Sequence, residues 1–180
     1  MIIGLCGFAG SGKSTVAKYL EDNYEFKRVN FKDGLVAEMK ERLPDILKEL
    51  AQAYHMDVDK LFENKPPAMR ALMRNYGTEV RRKDDTDYWV KKWCEKVNEL
   101  GGHIVVDDVR FFNELAAITE LDGVLIRVTR PDITHAGTHQ SETEQTSFVQ
   151  DFLVEGEANS HTLLFKQVDD VINIIKSNHD

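Results

Sequence analysis

The chain has 180 residues, 42% hydrophobic and 30% charged, with a formal net charge of −8. That length suits a single domain over residues 1–180 whose core needs neither disulfides nor a metal. The acidic balance speaks against coating DNA or RNA by phosphate neutralisation, while leaving room for a local basic pocket, and no apolar run approaches the roughly 18 residues of a membrane span.

Met1 to Cys6 reads as a buried strand ended by Gly7, too short and too uncharged at its start for a secretory signal. Cys6 and Cys94 read as small buried residues of a reducing, cytoplasmic compartment. Ser14 to Leu20 opens a helix, and Phe26 to Phe31 gives a second strand. Helix then runs from near Asp33 to Pro44, which starts another helix carrying Ile46, Leu47, Leu50 and Tyr54 inward. Met69, Leu72, Met73 and Tyr76 form one helix face closed by Gly77, and Arg81 and Arg82 fall in a short connection after it. Trp89, Trp93, Val97 and Leu100 make a further stripe, read as core, before Gly101 and Gly102.

His103 to Asp107 is the next strand, Phe111 to Leu121 a helix, and Val124 to Thr129 another strand. A polar, lid-like segment occupies 130–147, Asp151–Val154 and Thr162–Phe165 are weaker strands, and Val168, Val171, Ile172 and Ile175 form a last amphipathic helix. Strands alternating with helices predict an α/β fold of three layers, its mostly parallel sheet covered on both faces, and the glycine-rich GKS loop at residues 7–15 makes it P-loop NTPase-like. Residues 33–100 are almost all helical, an insertion suited to binding an acceptor.

The chemistry starts at "GFAGSGKST", residues 7–15. Gly7, Gly12, Lys13 and Ser14 satisfy G-x-x-x-x-G-K-[ST] between a strand and a helix, the context that the phosphate-binding loop requires. Backbone N–H groups from Ala9, Gly10 and Ser11 to Ser14 can curl around a phosphate at a helix N-terminus, with Thr15 completing the set. In such a loop the lysine reaches the β- and γ-phosphates of ATP and the Ser14 hydroxyl ligates Mg²⁺. A carboxylate for the metal belongs at the end of a neighbouring buried strand, where Asp107 and Asp108 stand. Arg81, Arg82, Arg110, Arg127 and Arg130 supply cations for phosphates. Arg70 reads as part of a solvated helix face, and Asp45, Glu49, Asp57, Asp59 and Glu63 as an acidic surface. His135, His139 and Glu142 lack the helical frame of a zinc site.

"DDVRFFNEL" at 107–115 resembles the Asp-Val-Arg-Phe signature of bacteriophage-type deoxynucleoside monophosphate kinases. "YGTEVRRKDDTDYWV" at 76–90 is similar to that family's Gly-Thr-Glu segment, and "NFKDGL" at 30–35 to its acceptor-side stretch. "IRVTRPD" at 126–132 and "HQSE" at 139–142 resemble its lid-side pieces. The resemblance implies Asp108 near the metal, and Asp33, Arg82, Arg110 and Glu142 on the acceptor side. It implies Arg127 and Arg130 as strand-end and lid arginines beside Lys13. Phe112 stands where the signature usually has proline, and Arg81 where a small residue is frequent, which leaves Arg81 and Arg82 as alternatives. The activity implied is transfer of the ATP γ-phosphoryl group to a deoxynucleoside 5′-monophosphate. Its partners would be small nucleotides rather than nucleic acid or membrane, with a homodimer left open. A kinase acting on an alcohol is the rival reading, and a nucleotide-dependent switch a third.

Overall fold

The computed structural model describes residues 1–133, 143–157 and 160–178. Two compact units emerge, one formed by Met1–Asn30 with Lys96–Asp180 and the other by Phe31–Glu95.

In the first unit, strands β1 (Ile2–Cys6), β2 (Lys27–Arg28), β3 (Ile104–Val106), β4 (Val124–Thr129) and β5 (Phe152–Glu155) form one sheet. Its order is β2-β3-β1-β4-β5 and every pairing is parallel, with Ile3 opposite both Val105 and Val124. β1 therefore lies between β3 and β4, and the loops after these three strands emerge on one edge of the sheet. Alternation along β1 sends Ile3 and Leu5 into a core shared with Val16, Ala17 and Leu20 of α1 (Lys13–Tyr24). Leu164, Val168, Val171, Ile172 and Ile175 of the final helix, α8 (Thr162–Ser177), close that face. Gly4 points the other way, where an added Cβ would stand 2.7 Å from Ile118 of α7 (Phe112–Glu120). Its lack of a side chain is what lets α7 pack against β1. Helices thus cover both faces of the sheet.

The second unit is built from α2 (Phe31–Arg42), α3 (Pro44–Ala53), α4 (Val58–Asn64), α5 (Pro67–Arg74), a π-helix (Asn75–Arg82) and the start of α6 (Tyr88–Leu100). Met39, Leu47, Leu61, Met69, Tyr76 and Trp89 belong to its core. Among the described residues no helix is long and apolar enough to cross a membrane.

Several local expectations are corrected. The second strand is two residues long, because Phe31 starts α2 and packs on Trp93 with ring centroids 4.6 Å apart. Ile46 is exposed, and Ala51 takes its expected place in the core beside Leu47. Gly77 does not end a helix. Its carbonyl accepts from the Trp89 indole N–H at 3.1 Å, and the chain continues as the π-helix that carries Arg81 and Arg82. Thr162–Phe165 is the first turn of α8 rather than a strand, since Leu164 and Val168 are spaced for one buried helix face.

Candidate functional site

The loop after β1 is shaped by backbone conformations that L side chains avoid. Gly7, Gly10 and Gly12 have φ of 139°, 83° and 106°. At Gly7 an added Cβ would lie 2.2 Å from the Val128 carbonyl oxygen, so glycine is required there by space as well as by φ. The Ser11 N–H donates to the Phe8 carbonyl at 3.1 Å, which closes the turn. Gly12, in the left-handed region, leads directly into α1. Lys13 Nζ donates to the carbonyls of Gly7 and Phe8 at 2.6 and 2.9 Å, so the ammonium is held over its own loop. Ser14 is exposed in the first turn of α1, and Thr15 is half-buried beside it. Ser11 is buried, and its hydroxyl has no hydrogen-bond partner among the described residues. Such a polar atom in a glycine-shaped cradle at a helix N-terminus suits an anionic ligand. Cys6, the last residue of β1, has its thiol pushed up in pKa by burial, against the pull of Arg127 and Lys13.

Beyond β3 the two aspartates diverge. Asp107 is buried, accepts from Asn30 Nδ2 at 2.8 Å, and returns its own backbone N–H to Asn30 Oδ1 at 2.9 Å. Arg28 also reaches it, at 3.3 Å, while donating to Glu21 and to the Ser14 carbonyl. Asp108 is half-buried. Glu114 turns back from α7 to accept from the N–H groups of Arg110 and Phe111 at 2.7 and 3.1 Å, fixing the backbone that delivers Arg110.

The remaining arginines have specific neighbours. Arg127 donates to the carbonyls of Gln145 and Phe148, each at 3.0 Å, and to Gln150 at 3.0 Å. These bonds tie Arg127 to the stretch from Gln145 to Gln150 through its Nε and Nη2. Arg130 forms a two-pronged pair with Asp132, at 2.7 and 2.6 Å. In the second unit Arg81 holds Glu38, donating from Nε at 2.6 Å, and lies over the rings of Tyr76 and Tyr88. Glu38 also accepts from Tyr76 at 2.9 Å and Tyr88 at 2.5 Å. Burial raises the Glu38 pKa, but the bonds from Tyr88, Tyr76 and Arg81 outweigh it, and the carboxyl is held below its usual range. Arg82 is half-buried on the same π-helix, and Asp33 is exposed in the first turn of α2. Glu142, His135, His139 and half of the expected lid lie outside the described residues.

Comparison with known proteins places this geometry. A family described as "AAA domain" matches residues 3–137, more than half of the chain. A protein of Acanthamoeba polyphaga mimivirus named "Putative deoxynucleotide monophosphate kinase" is 31% identical over 163 residues, covering 82% of this chain and 83% of that one. The chain belongs to this AAA-domain family and is a P-loop kinase. A shorter match joins the kinase to the shikimate kinase of Persephonella marina, 38% identical over 58 residues, which is 32% of this chain and 35% of the other. The crystal structure of TT1252 from Thermus thermophilus shares the fold, with a TM-score of 0.54 at 18% identity, covering 97% of each chain.

Three features of the kinase were not singled out in the sequence. The Asn30–Asp107 exchange joins the end of β2 to the end of β3, and only sheet order reveals it. Glu38 gave no signal, because a lone glutamate in a helix reads as solvated. Gln145 is buried, and its Oε1 accepts from the Gly7 N–H at 3.0 Å. Asp57, read as acidic surface, caps α4 by accepting from Lys60 N at 2.8 Å.

Proposed function

We propose that the protein is a bacteriophage-type deoxynucleoside monophosphate kinase, moving the γ-phosphoryl group of ATP to a deoxynucleoside 5′-monophosphate. The observation that carries this reading is the mimivirus relative, named as a deoxynucleotide monophosphate kinase and matched over 82% of this chain. The residues are suited to the chemistry. A monophosphate acceptor is already largely ionised at neutral pH and needs alignment and charge neutralisation rather than a general base.

In this reading the loop from Gly7 to Thr15 cradles the donor phosphates through its N–H groups, and Lys13 and Arg130 offset charge on the transferring group. For Arg130 that means exchanging Asp132 for phosphate. Mg²⁺ would be held by Ser14 and Asp108, hard oxygen donors that suit an ion keeping several of its waters. When bound, it neutralises phosphate charge and orients the transferring group. Asp33, Arg82 and Arg110 are assigned to the acceptor, with Phe31–Glu95 as the acceptor-binding unit and 130–147 as a lid. Arg82 is preferred over Arg81 because it matches the arginine of the family's Gly-Thr-Glu segment. Arg127 is assigned to positioning.

The test is direct. Purified protein with ATP, Mg²⁺ and a panel of deoxy- and ribonucleoside monophosphates should convert at least one deoxynucleotide to its diphosphate, and Lys13→Ala should nearly abolish that turnover with the fold intact. Slow hydrolysis of ATP with no phosphorylated acceptor would refute the reading. The local shikimate kinase match supports one alternative, an alcohol acceptor. There Asp33 would act as a base, and Asp33→Asn would remove a rising acid limb from the rate–pH profile.

A further inference from the structure

The first residue of the phosphate loop is held from a distant part of the chain. β1 ends at Cys6, so the Gly7 N–H stands where the ladder stops, and its partner is the side-chain oxygen of Gln145, 3.0 Å away. Both residues are buried, and a buried N–H without a partner is costly. Gln145 lies in a single 3₁₀ turn, Glu144–Ser147, that the surrounding bonds fix on three sides. Arg127, paired with Cys6 across the β1–β4 register, holds the Gln145 and Phe148 carbonyls at 3.0 Å each. Glu144 accepts from the Phe112 N–H at 2.6 Å, at the start of the helix that follows Asp108 and Arg110. Phe148 packs edge-on against Phe112, with centroids 5.1 Å apart. The turn therefore grips both the mouth of the phosphate loop and the backbone just past the β3 carboxylates. An apolar turn could fill the same space, but it would leave the buried Gly7 N–H without its acceptor.

We propose that Gln145 is a positioning residue for the donor site: its amide oxygen orients the Gly7 peptide and so sets the N–H cradle for the triphosphate, with Arg127 acting through it. The inference rests on the donor-site reading above. The variants are Gln145→Met, which keeps the volume and removes the acceptor, and Gln145→Asn, whose amide is one methylene too short to reach Gly7. Titration calorimetry with ATP and Mg²⁺ should show both weakening ATP about tenfold. The KM for the nucleotide acceptor should stay near wild type, while the thermal midpoint falls by about 2–12 °C in both variants, the cost of the unpaired Gly7 N–H. In ¹⁵N–¹H spectra of the ATP-free protein the Gly7 amide proton should move upfield in both variants and keep its wild-type position in Gln145→Glu, which retains an acceptor oxygen. Unchanged ATP affinity in the variants, or equal loss for both substrates, would overturn the proposal. Wild-type protein that binds no ATP would remove the donor-site reading itself, and this inference with it.

Discussion

Two adjacent aspartates at the end of β3 should fail in different ways. Asp107 is buried, with 4% of its side chain exposed, and it accepts from Asn30 and from Arg28 at 2.8 and 3.3 Å. Asp107→Asn removes the negative charge opposite Arg28 and turns one oxygen into an amide N–H₂ that faces existing donors. Loss of a charge-assisted bond in a buried setting costs about 1.5–3 kcal/mol. For a chain of this size that lowers the thermal midpoint by about 3–12 °C. Asp108 is half-buried, and Asp108→Asn should move the midpoint by less than about 2 °C while cutting saturated turnover about 10²–10³-fold. Thermal unfolding followed by circular dichroism, and a coupled assay across a Mg²⁺ titration, read the two effects separately. If Asp107→Asn folds with an unchanged midpoint but demands more Mg²⁺, the assignment is reversed and the reasoning fails.

Gly7→Ala should cost at least about 3 kcal/mol in a urea titration, because its Cβ meets the Val128 carbonyl at 2.2 Å at a φ of 139°; wild-type stability in this variant would contradict the geometry. The Glu38 carboxyl is depressed below its ordinary value of 4.5, so its contribution to stability is full above that pH and fades as pH falls through the lower folded value. The wild-type midpoint should therefore drop more steeply than that of Glu38→Gln between about pH 5 and 3, and parallel curves would count against the Glu38 cluster. Arg81→Ala should lower stability by about 1–3 kcal/mol by taking the closest cation from the buried Glu38 carboxylate, whereas Arg82→Ala should raise the acceptor KM about tenfold or more and spare ATP affinity. Steady-state kinetics beside melting curves distinguish them, and equal effects of Arg82→Ala on both substrates would refute its assignment.

Much of the fold could be read from local chemistry. The buried runs of β1 and β3, the loop glycines and the punctuation at Pro44, Gly101 and Asp122–Gly123 each act within a few residues, so sequence spacing is enough to see them. β4 spans Val124–Thr129, the same residues that its apolar run marks. The misreadings have tertiary causes. Leu163-Leu164-Phe165 is too short a run to separate strand from helix, and only burial of Leu164 with Val168 and Ile172 against the sheet decides it. Gly77 carries a stop signal that the Trp89 indole overrides by bonding its carbonyl. An isolated reading of Gly77 has no access to a residue twelve positions on.

The site divides along the same line. A phosphate loop is a local object, built from consecutive residues, so its type is legible in nine letters. The work of each arginine is not, because a guanidinium carries the same charge whether it faces a phosphate, a carboxylate or a carbonyl. Arg127 lies at the carboxyl end of β4 as a phosphate ligand would, yet two backbone carbonyls and Gln150 take its Nη2 and Nε donors. Arg81 and Arg82 are neighbours in sequence, but their separation by one helical step gives Arg81 the Glu38 carboxylate. Gln145 has no charge and belongs to no motif, and its importance follows only from where Gly7 N–H is left when β1 stops. Positive charge in the sequence therefore marks candidate anion ligands, while unpaired backbone groups at the strand ends determine which side chains must be there to hold the loop in shape.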